Sequence, residues 1–259
     1  MILLSLRLYP SVVPVLTAAN AGHKEELGKQ IPAGGKVRED LLWIATKFNY
    51  LHNKKFMTSV ANSEFWEAHY QEGTARWDLG QAAPPFASLL NSPYAPSPGR
   101  MAVLGAGRGY DALLFAQRGF EVIGFDFAPS AIADSTALAQ NSGIPAQFLQ
   151  RNIFDLPAEF PGYFDYVLEH TCFCAIDPAS RPAYVQLVKS LLKPQGELIA
   201  LFWAHSKPGG PPFGATITEI KEYFQPDFEI TSLTLASNSI PERQGEEYLG
   251  RFKTATRTP

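Results

Sequence analysis

The chain has 259 residues, 46% of them hydrophobic and 18% charged, with a formal net charge of −3. That length and apolar content suit one large α/β domain, or one domain plus an extension. No run approaches the roughly 18 consecutive apolar residues of a membrane span, and an acidic main body disfavours nucleic acid as the principal partner.

Residues 1–56 come first and fit the rest poorly. They hold eight Lys/Arg against four Asp/Glu, whereas 57–259 hold fourteen against twenty-one. The opening MILLSLRLYPSVVPVLTAAN is apolar but broken by Arg7, Pro10 and Pro14, and it lacks a basic start, so it makes a weak signal peptide. Residues 38–56 place Leu41, Ile44, Phe48 and Leu51 on one helical face. Met57 then opens a stretch that reads as a natural protein start. The expectation is an atypical extension over 1–56, from a start assigned too far upstream, ahead of a working domain over 57–259. A helical extension packed on the core and a targeting segment are the alternatives.

The segment FWEAHYQEG reads as a helix, followed by the aromatic Arg76-Trp77-Asp78-Leu79-Gly80 and a Pro-rich connector to Pro98-Gly99. Strands are predicted over 101–104, 121–125, 146–150, 164–169 and 197–203. Helices are predicted over 110–117, 129–141 and 178–192, with Asn141-Ser142-Gly143 and Lys193-Pro194-Gln195-Gly196 as stop signals. This alternation predicts an α/β fold with a doubly wound, Rossmann-like, mostly parallel sheet. A helix near 216–224 leads to two β-rich runs, 228–236 and 247–255, without a helix between them. They predict an antiparallel C-terminal hairpin at the sheet edge.

Between the first strand and its helix lies Gly105-Ala106-Gly107-Arg108-Gly109, and Asp126 ends the second strand. Strand, glycine loop, helix, strand and acid form the unit that binds an adenosine-bearing cofactor, the acid accepting ribose hydroxyls. Glycines suit a backbone that must turn sharply or approach a ligand. A dinucleotide fingerprint spaces them G-x-G-x-x-G; the G-x-G-x-G spacing here favours S-adenosylmethionine. In open α/β sheets the ligand lies at the carboxyl ends of strands where the winding reverses, here between the first and fourth strands. The site therefore collects Gly105–Gly109, Asp126, the loop after 150 and Glu169-His170-Thr171, with the aromatic N-terminal segment and the 204–213 loop able to close over it. Cys172 and Cys174 are too near each other for a disulfide framework, which points to a reducing compartment, and C-x-C with few His is poor zinc-site material. A cytoplasmic protein without a metal is expected.

The chain resembles the thiopurine methyltransferase family in the broad sense, which includes halide/thiol methyltransferases and belongs to the class I S-adenosylmethionine-dependent methyltransferases. The matching pieces include Phe65-Trp66-Glu67 with Tyr70, Trp77-Asp78, Val103 to Asp111, Asp126 with Pro129, and Asn152-Ile153-Phe154. They continue with Glu169-His170-Thr171-Cys172-Phe173-Cys174-Ala175-Ile176, Arg181-Pro182, Leu191-Leu192-Lys193-Pro194 and Gly210-Pro211-Pro212-Phe213. They come in family order across about 65–225. The family often has Pro and Cys where this chain has Leu104 and Ala106, and Asp where it has Asn152.

The resemblance implies methyl transfer from S-adenosylmethionine to a small, soft nucleophile: a thiolate, hydrosulfide or halide. It implies cofactor contacts by Trp66 and Trp77 over the methionyl part, Gly105 and Gly107 along the backbone, Asp126 at the ribose, and Asn152, Ile153 and Phe154 around the adenine. Glu169 and His170 are expected to face the cofactor at the end of the fourth strand. His170 is a candidate base for a thiol, and Arg181 either attracts an anionic substrate or starts a helix with a solvated charge. Trp203, His205 and Phe213 are candidates for the pocket wall. An anion meeting a sulfonium neutralises charge in an in-line displacement, so a dry aromatic pocket favours the step. The partner expected is a small-molecule acceptor, and the protein is expected to act as a monomer, away from nucleic acid and membrane. The alternatives are an O-, N- or C-methyltransferase of another metabolite, a dinucleotide oxidoreductase, and a module that binds the cofactor without turnover.

Overall fold

The structure, a computed structural model, describes residues 59–255. The features expected of residues 1–56, the extension, the amphipathic face over 38–56 and the targeting alternatives, lie outside the described residues, as does Met57. The elements run α1 (Ser63–Gln71), α2 (Pro84–Leu90), β1 (Arg100–Leu104), α3 (Tyr110–Ala116), β2 (Glu121–Asp126), α4 (Pro129–Ser142) and β3 (Ala146–Gln150). They continue with α5 (Leu156–Glu159), β4 (Phe164–His170), α6 (Arg181–Leu191), β5 (Leu192–Trp203), α7 (Ile217–Phe224), β6 (Phe228–Leu235) and β7 (Glu247–Thr254).

The seven strands form one sheet in the order β3-β2-β1-β4-β5-β7-β6. The first five are parallel, and β7 runs antiparallel to both its neighbours. β1 pairs with β2 on one side and β4 on the other, Ala102 lying level with Ile123 and Val167. The winding therefore reverses beside the carboxyl end of β1, as the sequence predicts.

Met101 to Leu104 are all buried, as a parallel strand covered on both faces requires. Val103 and Leu168 pack with Phe86 of α2, Leu113 and Phe115 of α3 and Ala139 of α4. Ala102, Leu104 and Val167 pack on the other face with Tyr184, Val185, Val188 and Leu191 of α6 and with Ile220 and Phe224 of α7. The α6 residues recur at helical spacing and form one apolar stripe. Each such side chain, fully buried, contributes about 1.5–3 kcal/mol.

Three boundaries differ from expectation. The Pro-rich connector contains α2, because Pro84-Pro85 can occupy the first turn of a helix and Phe86, Leu89 and Leu90 are buried. The helix expected over 178–192 begins as a 3-10 turn over Pro178–Ser180, capped by the Asp177 carboxylate, and becomes α6 at Arg181. β5 starts at Leu192, paired with Phe164, and crosses Lys193-Pro194-Gln195-Gly196 with Gln195 at φ 66°. The turn signal there marks an irregular stretch within the strand rather than its start. At the end of the sheet β7 inserts between β5 and β6, joined to β6 through residues 236–246. Among the described residues no helix is long and apolar enough to cross a membrane.

Candidate active site

The loop after β1 is held by Ala106 N–H, which donates to the Phe125 carbonyl of β2 at 2.9 Å. Gly107 has φ 53° and a Cβ there would stand 3.2 Å from the Tyr70 hydroxyl; Gly109 has φ 82° and a Cβ would strike the Phe148 ring at 2.7 Å. Both need the left-handed region that glycine enters without penalty. Gly107 N–H donates to Asp126 Oδ2 at 3.0 Å, and Ala128 N–H donates to Oδ1 at 2.9 Å. Asp126 is only 8% exposed. Burial raises its pKa, against the pull of these backbone donors.

The aromatic segment after α1 closes one side of a cleft above this loop. Tyr70, Trp77, Asp78 and Leu79 face Leu104 to Arg108, Tyr110, Asp111, His170 and Thr171 across it. Trp77 Nε1 donates to the Tyr70 hydroxyl at 3.1 Å, and the Trp66 ring meets the Trp77 ring edge-on at 5.2 Å. Burial, with the nearby Asp126 charge, raises the Tyr70 pKa. Arg108 donates to Asp78 and, at 2.8 Å, to Asp134. Glu67 accepts the Ser130 N–H at 2.9 Å and its hydroxyl at 2.6 Å. The segment is thus tied to both the glycine loop and the start of α4.

The far wall of the cleft is a buried charge network. His170 Nδ1 lies 2.7 Å from Asp111 Oδ2, while Asp111 Oδ1 accepts the Ala83 N–H at 2.7 Å. Arg243 Nη1 stands 3.2 Å from His170 Nε2 and 3.1 Å from Glu247 Oε1, with Nη2 3.5 Å from the Trp77 carbonyl. Its guanidinium also stacks on the Trp203 ring at 4.8 Å. Burial disfavours the His170 charge, and Arg243 opposes it too. Asp111 and Glu247 outweigh both and push the His170 pKa up to about 9. Both its nitrogens are engaged, Nδ1 by Asp111 and Nε2 by Arg243, with Glu247 Oε1 3.8 Å from Nε2. The base role expected for it is not one this geometry supports.

Among the expected residues, Trp77, Gly105, Gly107 and His170 line one cleft and Asp126 borders it through Gly107. Trp66 backs Trp77 and packs with Ala128 and Ala131. Asn152 caps a 3-10 turn over Ile153–Asp155 after β3 and accepts the Phe154 N–H, while Ile153 packs on the core and Phe154 is 38% exposed. Glu169 does not face the cleft as expected: strand alternation turns it to the opposite face of β4 from His170, fully buried. Arg181 is neither solvated nor on the cleft. It is buried, stacks on Phe173 at 4.7 Å and donates to the carbonyls of Phe213 and Gly214, both at 3.0 Å. It pins the end of the 204–213 loop. His205 is buried beside Trp203, their rings 5.0 Å apart. The sequence reading missed Asp111, Arg243 and Glu247 as site residues. Asp111 carried a signal, an acid in the first turn after the glycine loop; Arg243, in a polar turn, and Glu247, the first residue of β7, carried none.

Residues 61–257 match the family model described as thiopurine S-methyltransferase (TPMT). The Arabidopsis thaliana protein named "Probable thiol methyltransferase 2" is 35% identical over 207 residues, 77% of this chain and 89% of that protein. Thiocyanate methyltransferase 1 of the same plant is 32% identical over 76% of this chain and 88% of its own. The structure of Burkholderia thailandensis 1,6-didemethyltoxoflavin-N1-methyltransferase, with bound 1,6-didemethyltoxoflavin and S-adenosylhomocysteine, shares the fold. Its TM-score is 0.61 at 20% identity, across 74% of this chain and 87% of that one.

Proposed function

The chain belongs to the thiopurine S-methyltransferase family and is an S-adenosylmethionine-dependent methyltransferase, and from that premise we propose that its acceptor is a small, soft anion, a thiolate, hydrosulfide, thiocyanate or halide. The residues present fit the cofactor. A Cβ at Gly105 would lie 3.3 Å from Cys172 Sγ and one at Gly107 would lie 3.2 Å from the Tyr70 hydroxyl, so the loop stays bare backbone beside Asp126. Gly105 and Gly107 would follow the cofactor backbone, Asp126 would take the ribose hydroxyls, and Asn152, Ile153 and the exposed face of Phe154 would hold the adenine. When bound, S-adenosylmethionine supplies a methyl group already activated on a sulfonium.

The chain's own residues then have three tasks. Tyr70 and Trp77, backed by Trp66, exclude water and offer aromatic faces that attract a cation by about 0.5–2 kcal/mol. His170, held between Asp111 and Arg243, forms a fixed polar wall beside the incoming anion. The closed wall of Trp77, Leu79 and Tyr110 fixes the direction of approach, and alignment supplies much of the rate. Desolvating an anion beside a sulfonium favours a step in which charge is neutralised.

The observation that carries this reading is the engagement of every carboxylate and imidazole lining the cleft. Asp78 holds Arg108, Asp111 holds His170, and His170 lies between Asp111 and Arg243. An acceptor that needs deprotonation finds no base among these described residues; one that arrives as an anion needs none. At saturating cofactor, turnover with iodide is expected to be flat between about pH 6 and 8, and turnover with a series of thiols to follow each thiol's own ionisation. One fixed pKa shared by thiols of different acidity would reveal an enzyme base and contradict the proposal. The free Cys172 and Cys174 support a reducing compartment, so the cytoplasm is the location proposed. A small acceptor asks nothing of a second subunit, and the protein is proposed to act as a monomer.

A further inference from the structure

Glu169 is the group at the end of β4 that this chemistry leaves unused. Its Oε1 accepts the Phe173 N–H at 2.8 Å, and the neighbouring Cys172 N–H also favours its ionised form. Its Oε2 is buried with no hydrogen-bond partner, an arrangement that a fold rarely keeps without a reason. Between the strand and these two donors, Thr171 sits at φ 58°. A β-branched residue in the left-handed region persists only where its surroundings hold it there.

The turn held in this way touches three working parts. His170 and Thr171 line the cleft. Cys172 Sγ lies against Gly105. The Cys174 carbonyl accepts the Phe213 N–H at 2.6 Å and so ends the 204–213 loop.

We propose that Glu169 is a positioning residue for the cofactor: its carboxylate holds the 170–173 turn, keeps Cys172 against the glycine loop, and thereby sets how tightly S-adenosylmethionine binds. This rests on the cofactor assignment and not on the choice of acceptor. The groups packed near Glu169 on its own face are Cys172 and Cys174 on the turn and Tyr184 on α6, while His170 and Glu247 act on it electrostatically from the other face of the sheet. Burial raises its pKa to about 7; the Phe173 and Cys172 N–H groups and the His170 charge pull it down, and Glu247 pushes it up. The ionised form makes charge-assisted bonds to the turn, roughly twice as strong as neutral ones. It also costs stability. With the folded value above the ordinary 4.5, the stabilising effect of the neutral acid is complete below that value and is lost as pH rises through about 7. Cofactor affinity and fold stability therefore move in opposite directions.

Calorimetry with S-adenosylhomocysteine and thermal melting, on the native chain and on Glu169→Gln, test this. Native affinity is expected to tighten about fivefold as pH rises from about 6 to 8. Glu169→Gln is expected to bind about fivefold more weakly at pH 8, with a flat profile, and to melt higher than the native chain. A variant that melts lower and keeps the native pH slope, or one that binds as tightly as the native chain, overturns the proposal. If the variant does not fold, the native profile decides, and a flat one rejects the role. Failure of the native chain to bind S-adenosylhomocysteine at any pH would instead reject the cofactor assignment, and the proposal with it.

Discussion

His170 owes its raised pKa to Asp111 and Glu247, drawn from two distant parts of the chain. Because its folded pKa of about 9 exceeds the ordinary 6.5, the stability it contributes is full below that ordinary value and is lost as pH rises through about 9. That contribution is on the order of 3 kcal/mol. Native melting temperature is expected to fall between about pH 6.5 and 9, and His170→Gln to remove most of that slope in differential scanning fluorimetry. Asp126 supports a second expectation at this scale. Asp126→Asn keeps a similar shape but replaces one carboxylate oxygen by a donor, so S-adenosylhomocysteine affinity measured by calorimetry should fall by about tenfold or more. Gly105, Gly107, Trp77 and Asp126 were legible in the sequence because their signals are local: glycine spacing, an aromatic run, an acid at a strand end. The partners of His170 were not, since Asp111 lies 59 positions away and Arg243 lies 73. Glu169 and Arg181 were misplaced for a related reason. A charged residue reads as exposed or functional, and only the fold shows one buried under a turn and the other tied to loop carbonyls.

At the scale of elements, the aromatic segment is fastened through Arg108. This one side chain bridges Asp78 on the segment and Asp134 on α4 and spans the Tyr70 ring at 5.6 Å. Its pairs are partly solvated, so each contributes about 0.2–1 kcal/mol and is weakened by salt. Arg108→Ala should raise the S-adenosylhomocysteine dissociation rate about three- to tenfold in stopped-flow fluorescence, and added salt should affect the native chain more than the variant. Element order was legible throughout the core because apolar runs and stop signals alternate there. α2 was hidden by Pro84-Pro85, which the sequence presents as a connector although proline is compatible with a first helical turn. The start of β5 was hidden by Lys193-Pro194-Gln195-Gly196, which turns the chain without ending its pairing to β4.

Across the whole molecule, the sheet order brings the carboxyl ends of β1 and β4 together and inserts β7 beside β5. The turn before β7 thereby reaches the site, carrying Arg243 to His170, Glu247, Trp203 and the Trp77 carbonyl. Arg243 is 3% exposed, and removing one partner of a buried ion pair costs about 3–5 kcal/mol. Arg243→Ala should lower stability by that amount in urea unfolding, because it leaves Glu247 buried without its cation. The doubly wound sheet and its antiparallel pair followed from the sequence pattern, whereas this cross-tie follows from topology alone. Methyl transfer to soft anions is tested most directly by headspace gas chromatography after incubating the purified chain with S-adenosylmethionine and iodide, hydrosulfide or thiocyanate. Methyl iodide, methanethiol or methyl thiocyanate accumulating in proportion to enzyme is the predicted result. No methylated product from any of the three, with S-adenosylhomocysteine still binding, would contradict it.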